Sequence, residues 1–259
     1  MFSNKIIVLL IFNFFIIFKS YSYNFTQDFR QGYFWNAFPI QMHRYTNDSS
    51  SLSLLEEVTN EAQKEWEEVV GQGLWLYLGP VVFSNSFPEN SNIIRYSDNF
   101  SEETGFDDQY TLAVTVRFSI LPYIVRTEVI LNAKFKTLKT NQNNELYKTV
   151  LHELGHTLGL DHSNEDAIMA PSLGLREHLS QDDINGVIDL VKLTEQRKSQ
   201  DQEKRNNELS AYKNAFISCG TIGKIDDDFG QTPPFLLSFG LGVFIVMILA
   251  MLKRKKFPF

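Results

Sequence analysis

Val150-Leu-His-Glu-Leu-Gly-His-Thr-Leu-Gly-Leu-Asp-His-Ser163 is the stretch on which the reading of this chain turns. Within it His152, Glu153, His156, Gly159 and His162 follow the order His-Glu-x-x-His-x-x-Gly-x-x-His. Residues four apart on a helix share a face, so His152 and His156 can aim their imidazoles at one point. Glu153 then stands beside that point, where a general base for a metal-held water belongs. Gly159 lets the chain leave the helix through a positive φ that a side chain would resist. The turn returns His162 as a third nitrogen ligand. Three protein ligands leave the fourth tetrahedral position of zinc open, which marks a catalytic rather than a structural site.

A bare His-Glu-x-x-His pentamer recurs by chance. The eleven-residue form needs a glycine and a further histidine to coincide, and three of the chain's five histidines fall inside it. A helix with scattered surface histidines does not account for that. With Ser163 behind it and Met169 downstream in Ala167-Ile-Met-Ala-Pro171, the motif resembles the metzincin metallopeptidases and, among them, the matrixins. The resemblance implies an α+β, zincin-like catalytic domain: a twisted mixed sheet of about five strands with three helices. It implies one catalytic zinc on His152, His156 and His162, with Glu153 as the catalytic residue. Met169 becomes the methionine of the Met-turn, an apolar floor beneath the imidazoles that does not bind metal. The strand around Leu112 and Ala113 becomes the cleft edge that pairs with an extended protein or peptide substrate. Asp182 and Asp183 become the acids that tie the last helix to the Met-turn and to the mature N-terminus.

The chain has 259 residues, enough for one ordinary domain with appendages. Residues 6–18 are apolar, follow Lys5 and precede Ser20-Tyr-Ser22, the pattern of a signal peptide over 1–22 cleaved after Ser22. An uncleaved anchor is the rival reading, but the run is short for the roughly 20 residues that a bilayer span needs. Residues 235–252 carry no charge and are followed by Lys253, Arg254, Lys255 and Lys256. That predicts a transmembrane helix over 235–252 with a basic cytoplasmic tail at 253–259. The catalytic domain, 23–193, is then exported and held outside the cytoplasm at the cell membrane, with 194–234 as a polar stalk. Net charge is −7, and the four tail charges leave −11 on the remainder. An acidic ectodomain gives no reason to expect nucleic acid as a partner. The sole cysteine, Cys219, excludes an internal disulfide. Either it is an idle thiol in the stalk, or Ser218-Cys-Gly-Thr221, the apolar helix and the basic tail act as a C-terminal sorting signal that leads to processing and release. Oligomeric state has no signature in the sequence.

Along the chain, Phe38–Arg44 alternates apolar and polar residues and predicts a first strand in which His43 is structural. Leu55, Val58, Ala62, Trp66 and Val69 recur at helical steps over 51–70, and Gly71-Gln-Gly73 stops the run. Trp66 reads as core. Leu74–Phe83, Asn92–Tyr96, Thr111–Phe118 and Tyr123–Asn132 read as strands, the last two joined at Pro122. The stretch 97–109 holds Asp98, Glu102, Glu103, Asp107 and Asp108. Its carboxylates suit Ca2+, but no loop motif fixes their spacing, so a solvated loop is the simpler reading. Leu146, Val150, Leu154 and Leu158 give the active-site helix a buried face, with Asn143 or Asn144 as its cap. Ser180 and Asp183 cap a final helix carrying Ile184, Val187, Ile188 and Val191. Beyond it, 194–214 reads as a solvated helix or a flexible stalk.

The chain also departs from the matrixin pattern. No cysteine stands upstream of the motif to act as a latency switch, and no histidines sit between the third strand and the edge strand to hold a second, structural zinc. Pro171 stands two residues after Met169, where astacins carry a tyrosine. Leu173 stands where the specificity-pocket wall often carries one. A non-catalytic zincin-fold module for surface binding or adhesion is the alternative function; it would be expected to have lost Glu153 or a ligand.

Overall fold

The computed structural model describes residues 22–84, 86–88, 90–164 and 166–218, with 208–218 as helix backbone alone. The apolar runs at 6–18 and 235–252, Cys219 and the basic tail lie outside the described residues. In chain order the elements are β1 (Asn24–Phe25), α1 (Gln27–Arg30), β2 (Phe34–Trp35), β3 (Ile40–Thr46) and α2 (Leu52–Val70). Next come β4 (Trp75–Tyr77), β5 (Val82–Phe83), β6 (Ile93–Ser97), α3 (Phe100–Thr104), β7 (Ala113–Ile120) and β8 (Tyr123–Asn132). The rest are α4 (Lys136–Thr140), α5 (Glu145–Leu158), β9 (Leu160–Asp161) and α6 (Gln181–Ser218).

Seven strands form the main sheet, in the order β2-β8-β6-β3-β4, with β5 also on β3 and β7 on β8. All pairings are parallel except β7 with β8, so the sheet is mixed as expected. The count exceeds the expected five because three strands have only two or three residues, too few for a period-two pattern to register. The expected strand Leu74–Phe83 is one such case. Gly79 (φ +85°) and Pro80 break it, so β4 pairs with the start of β3 and β5 with its end. The 97–109 stretch is not a plain loop: it contains α3. There Glu103 pairs with Arg95 at 2.6 Å, and Asp108 pairs with Lys134.

One cluster of buried apolar side chains joins the sheet (Met42, Ile94, Val129, Leu131), α2 (Leu55, Val58, Ala62, Trp66) and α5 (Leu146, Val150, Leu154, Leu158). Each leucine, isoleucine, valine or methionine among them contributes about 1.5–3 kcal/mol of burial. Helix α2 ends where Gly71 turns into the left-handed region at φ +69°, as the Gly71-Gln-Gly73 signal predicts. Helix α5 starts at Glu145 as expected, but neither Asn143 nor Asn144 caps it with a side chain. Both lie at positive φ, and the Oδ1 of Asn141 accepts the Tyr147 N–H instead.

Three helices were expected, and α2, α5 and α6 stand where they were placed; α1, α3 and α4 are additional single turns. No break falls at 193–194, where α6 runs on. The compact unit that holds the catalytic motif reaches Arg205. Within it Arg197 lies over the Phe29 ring at 4.2 Å and donates to the Tyr33 carbonyl, while Tyr123 donates to Asp201. Among the described residues no helix is long and apolar enough to cross a membrane.

Candidate active site

All three tryptophans of the chain grip α5 from behind. Trp66 Nε1 donates to the Leu151 carbonyl at 2.9 Å, Trp35 Nε1 to the Thr157 carbonyl at 2.8 Å and Trp75 Nε1 to Thr157 Oγ1 at 3.0 Å. The indoles are at most 6% exposed, so each bond sits away from competing water. The opposite side of α5 presents His152, Glu153 and His156 to a cavity of about 510 Å³, also lined by His162, Leu112, Ala113, Thr115, Pro171 and Leu173.

The chain leaves α5 at Gly159, whose φ of +120° excludes ordinary side chains and whose missing Cβ would meet the Phe29 ring at 3.1 Å. Beyond it β9 pairs antiparallel with β1, and Asn24 Nδ2 donates to the His162 carbonyl at 2.9 Å. The third histidine is thus held in place by the N-terminal segment. The ring centroids of His152, His156 and His162 lie 4.6, 4.9 and 5.3 Å apart, and their ligand atoms fall within 4.8 Å of one another. Among the described residues no other group of three or more histidine, cysteine or carboxylate side chains converges this way.

The donor chemistry fits a zinc ion. Nδ1 of His152 lies 2.7 Å from the Ile168 carbonyl and Nδ1 of His156 lies 2.8 Å from the Leu160 carbonyl. A carbonyl only accepts, so each Nδ1 carries the proton and each Nε2 keeps a free lone pair for the metal. Burial pushes the pKa of His152 down, pushes that of His156 well down with help from the charge of His152, and lowers that of His162. All three are therefore neutral at neutral pH, the form that binds metal.

Met169 packs against α5 at Gly155, the residue before His156. A Cβ there would come within 2.4 Å of Met169 Sδ, so only glycine admits the thioether against the helix. The turn hangs from α6: Asp183 accepts the N–H groups of Ile168 at 2.9 Å, Met169 at 3.0 Å and Ser180 at 2.7 Å, together with the Ser180 hydroxyl. Asp182 accepts from the Ser22 N–H at 3.0 Å and from Ser163 Oγ at 2.7 Å. Asp183 thus reaches the turn, while Asp182 reaches Ser22, the last residue of the expected signal peptide, and not Tyr23, at which the mature chain would begin.

Glu153 is 5% exposed, and burial raises its carboxyl to about 7 against the lowering pull of the Thr115 hydrogen bond and the His162 charge. The cavity's other wall is β7, which among the described residues pairs only with β8 and leaves its outer edge open. Ala113 begins that strand, and Leu112 just before it gives its carbonyl to the Asn132 N–H. His43 stays in β3 beside Tyr45, apart from the cluster. Sequence reasoning missed Thr115, Arg117 and Asp28. Arg117 donates to the His156 carbonyl and pairs with Asp28 at 2.8 Å, linking β7, α5 and α1.

Residues 39–192, more than half of the chain, match the profile of the matrixins, peptidase family M10. The chain belongs to the matrixin family. A 54-residue stretch is 48% identical to macrophage metalloelastase of Oryctolagus cuniculus, covering 19% of this chain and 12% of that protein. Over 154 residues it is 28% identical to interstitial collagenase B of Mus musculus, covering 56% of this chain and 32% of that protein. The chain therefore spans no more than a third of the length of these relatives. The family works with a catalytic zinc, and the His152, His156 and His162 cluster is where this matrixin would hold it.

Proposed function

We propose that this matrixin is a zinc-dependent endopeptidase that cuts extended protein or peptide segments. The observation that carries the reading is the convergence of three neutral imidazoles on one point, with the buried Glu153 carboxylate beside them and an open strand edge opposite. His152, His156 and His162 would hold the zinc, which when bound supplies an acidified water and a Lewis acid for the scissile carbonyl. Glu153 takes the proton of the attacking water and passes it to the leaving amine. The outer edge of β7, beginning at Ala113 just after Leu112, offers backbone groups to an extended substrate and holds the scissile bond over the cluster. Pro171 and Leu173 form the far wall of the cavity and shape side-chain preference there.

We further infer from the apolar runs at 6–18 and 235–252 that the protein is exported and membrane-tethered, with its catalytic domain outside the cytoplasm. Mass spectrometry of the mature protein tests this part: loss of residues 1–22 and retention of 235–252 are expected, and an intact N-terminus overturns the signal peptide.

The catalytic reading is tested by a peptide-library cleavage profile of the full chain. Cleavage that a chelator abolishes and zinc restores is the expected result. Stoichiometric zinc with no cleavage of any peptide or unfolded protein would favour the non-catalytic binding module.

A further inference from the structure

Residues 113, 115 and 117 alternate to one side of β7. Two of them grip the active-site helix. Arg117 donates to the carbonyl of His156, and Thr115 Oγ1 lies 2.6 Å from Glu153 Oε2 and 3.3 Å from the Glu153 carbonyl oxygen. A carboxylate accepts more strongly than a carbonyl, and the shorter distance assigns the hydroxyl proton to Oε2. Among the described residues this is the one hydrogen bond that reaches the Glu153 carboxylate. The glutamate stem has three rotatable bonds, and nothing else polar fixes how its carboxylate turns.

We infer that Thr115 is a positioning residue for the base: its hydroxyl pins Oε2 so that the other carboxylate oxygen faces the histidine cluster. The inference rests on the peptidase reading of the same site. Thr115 keeps its own proton throughout and exchanges none with substrate, so its role is orientation. It stands on the strand whose outer edge the substrate would occupy, opposite Val129 of β8. Settling a peptide on that edge then also settles the base. A misplacement of about 1 Å in a catalytic group costs on the order of 10²-fold in rate.

The test compares Thr115→Val, Thr115→Ser and wild type as full chains loaded with zinc. Valine has nearly the same shape and suits a strand, so β7 should keep its pairing with β8. Expected for Thr115→Val is a fall in kcat of roughly 10- to 100-fold with KM and zinc content unchanged. Thr115→Ser, which restores the hydroxyl, should return most of the rate. If the valine methyl perturbs folding, Thr115→Ala removes the hydroxyl without it and must show the same drop. A second readout needs no activity: in urea unfolding, Thr115→Val and Glu153→Ala should be non-additive, because each removes the one hydrogen bond they share. An active wild type with unchanged kcat in Thr115→Val, or strict additivity in the unfolding cycle, overturns the inference and leaves the peptidase reading intact. A zinc-loaded wild type that cuts nothing overturns both.

Discussion

The carboxylate of Asp183 holds the backbone N–H of Met169 at 3.0 Å. The turn that carries Met169 thus hangs from α6, and the same carboxylate caps that helix through Ser180. Asp183 is 1% exposed, so each N–H it releases is left without water. Asp183→Asn keeps the shape but turns an NH₂ group toward N–H donors. We expect a loss on the order of 3 kcal/mol, read as a fall in Tm of roughly 5–10 °C with weakened zinc retention. An unchanged Tm would mean that the turn is held by packing alone.

Gly155 and Met169 form a steric pair. In Gly155→Ala the new Cβ meets Met169 Sδ at 2.4 Å. Overpacking costs about 1–3 kcal/mol, while replacing a mid-helix glycine gains up to about 1 kcal/mol of helix propensity. The clash wins, and the thioether must move. Denaturant midpoints should fall for Gly155→Ala and for Met169→Ala, and the double variant should lose less than the sum of the two, because the new methyl fills part of the space the thioether vacates. Two strictly additive losses would show that the residues are not in contact.

Asp28, joined to His156 only through Arg117, gives the fold a pH-dependent contribution. Burial raises its carboxyl, but the hydrogen bonds and charge of Arg117, aided by Thr26 and the Phe29 N–H, outweigh this and bring it below its ordinary 3.8. A depressed carboxyl stabilises the fold at every pH above its unfolded value, and that contribution fades as pH falls through the folded one. Wild type should therefore exceed Asp28→Asn in urea midpoint at about pH 6, with the gap narrowing once pH falls below the unfolded carboxyl's 3.8 and closing below the lowered folded value. A gap that persists in acid would point to a steric cause.

How much of this was legible in the sequence depends on distance along the chain. The ligand triad, its glycine turn and the leucine stripe of α5 lie within the seventeen residues 146–162, and local periodicity exposed them. The stripe of α2 and the Ser180–Asp183 cap were readable for the same reason. Thr115 and Glu153 are 38 positions apart, and Arg117 and Asp28 are 89 apart. Sheet register brings such pairs together, and no local pattern announces it. The strand β1 has two residues and exists because β9 offers it an edge. The continuation of α6 past residue 193 was ambiguous because its polar side chains dock by stacking, as Arg197 does on Phe29. Composition cannot distinguish that from a solvated face.

The most direct measurement pairs bound zinc with turnover in wild type and Glu153→Ala. Glu153 is not a ligand in this account, so both chains should carry one zinc. The variant should lose at least about 10²–10⁴-fold in kcat, the range of general-base catalysis alone. Near wild-type turnover in Glu153→Ala, or wild type that retains no zinc after zinc-supplemented refolding, would contradict it.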